Sequence, residues 1–142
     1  MSGLSAFFSQ NAVKVENVKH VVSDRFLDEN GEPIEWEIRA ITEKETEALR
    51  KQCTNRVPVP GRKNMFQPEM DSNKYASLMA VTCTVYPNLN DKDLQDSYGV
   101  MGAEELIKVM LTSGEFANYI EKLEEVNKYQ KPMDELVEEA KN

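Results

Sequence analysis

Residues 71–114 are interrupted at Pro87, Gly99, Gly102 and Gly114, each placed where a helix should stop or turn. Between the interruptions lies most of the apolar helical periodicity of the chain. The flanking sequence therefore reads as attachments to a small helical core. Asp71 suits the N-cap of a helix running to Tyr86, with Tyr75, Leu78, Met79, Thr82, Val85 and Tyr86 on one face. The β-branched run 81–85 weakens its last turn, and Pro87 stops it. Asn90 or Asp91 caps a short helix that ends at Tyr98, before Gly99. Leu106, Ile107, Met110 and Leu111 have the spacing of a well-buried helix over 102–111. Thr112 and Glu115 open a further helix to about Tyr129, with Phe116, Tyr119, Ile120, Leu123 and Val126 as its apolar face.

Ahead of this core, residues 18–41 predict a β-hairpin. Ile34, Trp36, Ile38 and Ala40 alternate with Glu35, Glu37 and Arg39. Asn30-Gly31 supplies residues that tolerate the positive φ of a tight turn, and Pro33 suits a strand start. Two strands alone are marginal in water, so the Trp36 face must cover helices or find further strands. Thr42 and Glu45 fit a capping box for a helix over 42–54 with Ala48, Leu49 and Cys53 as its stripe. Residues 55–68 contain Pro58, Pro60 and Gly61 and read as a linker or long loop. Residues 63–67 are a candidate short strand pairing with the hairpin. Arg50, Lys51, Arg56, Arg62 and Lys63 form the one basic cluster, read as a solvated loop or as a dock for an acidic surface.

The two ends are amphipathic. Leu4, Phe7 and Phe8 stand at helical spacing in a leader over 1–17, which lies loose, packs on its own domain, or packs on another chain. It lacks the basic segment of a signal peptide. Pro132 suits the start of a last helix over 131–142, with Met133, Leu136, Val137 and Ala140 as a stripe. That helix either folds back on the core or serves as a mobile arm for a partner helix. The expected architecture is α+β and mainly helical. It consists of an N-terminal β-hairpin followed by a compact bundle of five or six helices, with residues 18–130 as the core domain.

Composition narrows function. A length of 142 residues fits one domain, and a net charge of −8 opposes the positive field that nucleic acids and anionic membranes require. Cys53 and Cys83 are expected as free buried thiols, with a disulfide or a reactive thiol as the alternative. His20 is the lone histidine, so neither a Ser/His/Asp triad nor a multi-histidine metal site can be assembled within one chain. Phosphate-loop, dinucleotide and metalloprotease motifs are missing, and no catalytic residue, cofactor or metal is expected.

A set of residues in a particular order resembles the XkdN-like tail assembly chaperones of phages and prophages of Gram-positive bacteria. The resemblance rests on Trp36-Glu37-Ile38-Arg39-Ala40-Ile41-Thr42, on Lys74-Tyr75, and on Val85-Tyr86-Pro87-Asn88-Leu89. It continues through Leu94-Gln95-Asp96-Ser97-Tyr98-Gly99-Val100 and Leu111 with Gly114-Glu115. What it implies is a non-enzymatic helper in the host cytoplasm, missing from the mature virion. Such a chaperone coats the long helical tape measure protein before the tail tube polymerises, with the tube protein as a possible second partner and self-association possible. Leu4, Phe7, Phe8, Met133, Leu136, Val137 and Ala140 are the candidate contacts, chosen for apolarity at sites least needed by the core. The rival is a structural tail component, a completion or connector protein, which would be present in purified particles.

Overall fold

A computed structural model describes residues 3–127. A 3-10 turn, Gly3–Phe7, precedes ten elements: β1 (Val18–His20), β2 (Trp36–Ile38), α1 (Glu43–Cys53), β3 (Thr54–Pro58), β4 (Phe66–Met70), α2 (Ser72–Cys83), β5 (Thr84–Tyr86), α3 (Lys92–Ser97), α4 (Ala103–Met110) and α5 (Ser113–Val126). The strands form a three-stranded sheet, ordered β1-β2-β5, and a separate two-stranded sheet, β3-β4.

The helices begin where side-chain caps allow. Thr42 and Thr112 both close capping boxes with the glutamate three residues on, Glu45 and Glu115. The Asp71 carboxylate accepts from the amides of Asn73 and Lys74, and that of Asp91 from Leu94. Gly99 follows α3 at φ 67°, a left-handed conformation that side-chain-bearing residues avoid. These starts agree with the sequence reading.

The architecture does not. The expected N-terminal hairpin on a compact helical bundle is replaced by strands interleaved among the helices in two small sheets. β1 and β2 do pair, Val18 opposite Ile38 and His20 opposite Trp36, but each has three residues. The chain between them is drawn aside because Ser23 and Arg25 bond to Glu115 at the start of α5. The turn near Gly31 survives only as a small excursion closed by the bridge Leu27–Pro33. The helix expected to run to Tyr86 ends at Cys83, and Thr84–Tyr86 becomes the third strand, beside β2. β-Branched residues fit a pleated surface better than a helical one. The Thr84 hydroxyl caps the Ala80 carbonyl at 2.6 Å, and the Arg39 Nε donates to the Thr82 carbonyl at 3.1 Å. Residues 55–68 are expected as linker, with 63–67 as a strand on the N-terminal hairpin; instead 54–58 and 66–70 form an antiparallel pair with each other rather than with β1 or β2.

The core lies between the three-stranded sheet and the helices. Trp36 and Ile38 of β2 meet Met79, Ala80 and Cys83 of α2, Leu106, Ile107 and Met110 of α4, and Tyr119 and Leu123 of α5. The Trp36 and Tyr119 rings pack edge to face, 5.3 Å between centroids. α2 packs against α1, α4 and α5, so small residues such as Ser77 and Ala80 are buried on it as fully as Met79.

Candidate partner-binding surface

Leu4 and Phe7 are 74% and 80% exposed, and Phe8 is 47% exposed. The 3-10 turn Gly3–Phe7, which carries Leu4 and Phe7 and is followed by Phe8, buries no residue. Local bonds hold it: the Phe8 amide donates to the Ser5 carbonyl, the Ala12 amide to the Phe8 carbonyl, and Asn11 Nδ2 to Ser5 O at 2.8 Å. Val13 and Val15 continue the apolar exposure. The leader is thus an ordered turn that holds large apolar side chains in water. Met133, Leu136, Val137 and Ala140, and the helix expected to carry them, lie outside the described residues.

A second apolar surface escaped the sequence reading. In the β3–β4 hairpin, Thr54 pairs with Met70, Arg56 with Pro68 and Pro58 with Phe66, which sets these six on one face. Every residue of β4 is exposed, and Arg56 lies 5.9 Å from the Phe66 ring centroid. The clue was the lone basic cluster flanking Phe66. Pro58 and Pro60 disguised it as loop.

The remaining polar chemistry is structural. Arg25 forks onto Glu115 and donates to the Met110 carbonyl at 2.7 Å, binding the β1–β2 connection to the α4–α5 turn. Arg39 forks onto Glu45. The Arg39 and Arg25 hydrogen bonds, foremost, together with the cap amides, hold the Glu45 and Glu115 carboxyls at about 2. Burial pushes both cysteine thiols upward, away from the reactive thiolate. Burial first, then the Lys122 charge, lowers His20. Among the described residues no three His, Cys, Asp or Glu side chains gather to hold a metal, and no helix is long and apolar enough to cross a membrane. One open cleft of about 290 Å³ lies against the three-stranded sheet, lined by Lys19, Glu35, Glu37 and Tyr86.

Residues 4–141 match the model of the phage XkdN-like tail assembly chaperone proteins. The phage-like element PBSX protein XkdN of Bacillus subtilis is 32% identical over 98% of this chain and 93% of its own. The B. subtilis protein YqbN is 34% identical over the same shares. The crystal structure of YqbN superposes with a TM-score of 0.76 at 29% identity, covering 92% of this chain and 99% of the other. The interleaved strands and capped helices are therefore those of a shared fold, and the chain belongs to the phage XkdN-like tail assembly chaperone family.

Proposed function

We propose that this protein binds the tape measure protein of a phage or prophage tail and keeps it soluble in the host cytoplasm until the tail tube closes around it, without catalysing a reaction. The reading rests on family membership and on one observation: Leu4, Phe7 and Phe8 are held exposed on a body of net charge −8. An unassembled helical protein with long apolar stripes self-associates. A small acidic domain that covers such a stripe removes the sticky surface and adds repulsion between coated complexes. Three apolar side chains give a modest contact, so coverage comes from many copies and release stays feasible. Met133, Leu136, Val137 and Ala140 are proposed as a second arm of the same kind.

Affinity capture tests this reading. A tagged chain expressed with its phage's tail genes should retain the tape measure protein, and Leu4→Ser with Phe7→Ser and Phe8→Ser should release most of it. Purified particles should lack the chain. Retention unchanged by the triple substitution would remove the leader from the interface. Stoichiometric presence in particles would instead make the protein a structural tail component.

A further inference from the structure

The β3–β4 hairpin leaves the α1–α2 pair at the end away from the three-stranded sheet. β3 begins at the residue after α1 and β4 ends two residues before α2, with the Asp71 amide bonded to the Cys53 carbonyl at 2.7 Å across the base. On its apolar face Phe66 and Met70 are exposed, with Pro68 between them. Residues 54–70 hold Arg56, Arg62 and Lys63 against one acid, Glu69, in a chain with 17 basic and 25 acidic residues. None of these three cations forms an ion pair among the described residues. Arg56 lies over the Phe66 ring, and Arg62 reaches the Met65 sulfur at 3.9 Å. The hairpin therefore sets unspent positive charge beside uncovered apolar surface.

The same chain supplies the complement. Residues 132–140, beyond the described ones, hold Asp134, Glu135, Glu138 and Glu139 and no cation. Their apolar positions, Met133, Leu136, Val137 and Ala140, stand at helical spacing. The point from which this segment departs is fixed. Asn127 Oδ1 accepts from the Ile41 amide at 2.8 Å, and its Nδ2 donates to the Cys83 sulfur at 3.8 Å. Residue 127 thus lies beside the start of α1 and the end of α2. From the start of α1, the Pro58–Phe66 pair of the hairpin is no more than about 29 Å away, about 16 Å along α1 and about 13 Å along β3. Residues 128–131 extended and 132–142 as a helix would cover the same span of about 29 Å.

We infer that residues 132–140 dock on the hairpin of their own chain, the Met133, Leu136 and Val137 stripe over Phe66 and Met70, and the acids toward Arg56, Arg62 and Lys63. A contact this small would not hold two separate molecules together. A short tether raises the effective concentration to about the millimolar range, so a weak contact suffices within one chain. Opposite charge selects the hairpin over the exposed leader, where residues 3–13 carry no charged side chain. The docking goes beyond the proposed function and does not depend on it. Under that function, the stripe offered to a partner is stored on the protein's own hairpin, and the partner displaces it.

Nuclear magnetic resonance of the full chain, with a nitroxide label on Lys141→Cys, tests the docking with no partner present. Cys53 and Cys83 are buried and do not compete for the label. In low salt the label should broaden the amide signals of Arg56, Phe66 and Met70. The broadening should fade in about 0.5 M NaCl, where charges are screened beyond roughly 4 Å. Arg62→Glu with Lys63→Glu should weaken docking about tenfold, and so should Glu138→Lys with Glu139→Lys. All four substitutions in one chain should restore it, because the charges are then exchanged. The core amide signals report whether each variant is folded. Should a double variant fail to fold, Lys63→Glu and Glu139→Lys carry the same readout singly and together. A labelled chain mixed with an unlabelled, isotope-enriched one should leave the hairpin signals of the second sharp. Hairpin signals that stay sharp in the labelled chain, broadening that ignores either charge reversal, or exchanged charges that fail to restore it would each overturn the inference. Broadening carried between chains in the mixture would do so too, since it would place the segment on a second copy.

Discussion

Two glutamates each serve a cap and an ion pair at once. Glu45 accepts from the Thr42 amide while Arg39 forks onto it, and Glu115 accepts from the Thr112 amide while Arg25 and Ser23 donate to it. Folding lowers both carboxyls from 4.5 to about 2. The ionised form is the one that folding favours, so their contribution is full above about 4.5 and is lost as the pH falls through about 2. The unfolding temperature should therefore drop across that window, and Glu115→Gln should flatten the drop. A second test concerns Tyr119, whose hydroxyl sits 2.6 Å from the Thr84 hydroxyl in the core. Tyr119→Phe should cost about 0.5–1.5 kcal/mol in denaturant unfolding, because Thr84 keeps its bond to Ala80. Leu123→Ala, by contrast, empties a fully buried site and should cost about 2–5 kcal/mol in the same measurement.

Helix ends were legible because a cap is a local event. Thr42 with Glu45, Asp71, Asp91, Gly99 and Thr112 with Glu115 each act within a few residues, and each stands where the sequence placed it. Strands of three residues carry no such signature, and their partners lie far along the chain. Ile38 meets Thr84, a pairing fixed by the shared core beneath Trp36 and by Arg39 reaching to Thr82 and Cys83. The hairpin over residues 54–70 was hidden by its prolines. Pro58 lies at the end of β3 and Pro68 within β4, positions open to proline in a two-stranded sheet where each strand is an edge. Because the base of that hairpin is pinned by the Asp71–Cys53 bond, its excision is informative. Replacing residues 56–68 by a short glycine turn should leave a single cooperative transition within about 1 kcal/mol of the parent, since the exposed arm adds little to the core. A collapse of cooperativity would mean that the arm is structural.

At the scale of the molecule, the leader and the hairpin both hold large apolar side chains exposed, around a core whose buried polar side-chain atoms all have partners among the described residues. Leu4, Phe7 and Phe8, at helical spacing in the sequence, lie outside the core and are exposed. Under the proposed function they supply apolar surface rather than bond chemistry. The most direct measurement is the fraction of the tape measure protein that stays in the supernatant when it is co-expressed with this chain. The expected result is a soluble partner with the wild type and a precipitated one with the Leu4, Phe7 and Phe8 serine variant, at equal unfolding temperatures. Equal solubility of the partner with and without this chain would contradict the chaperone role.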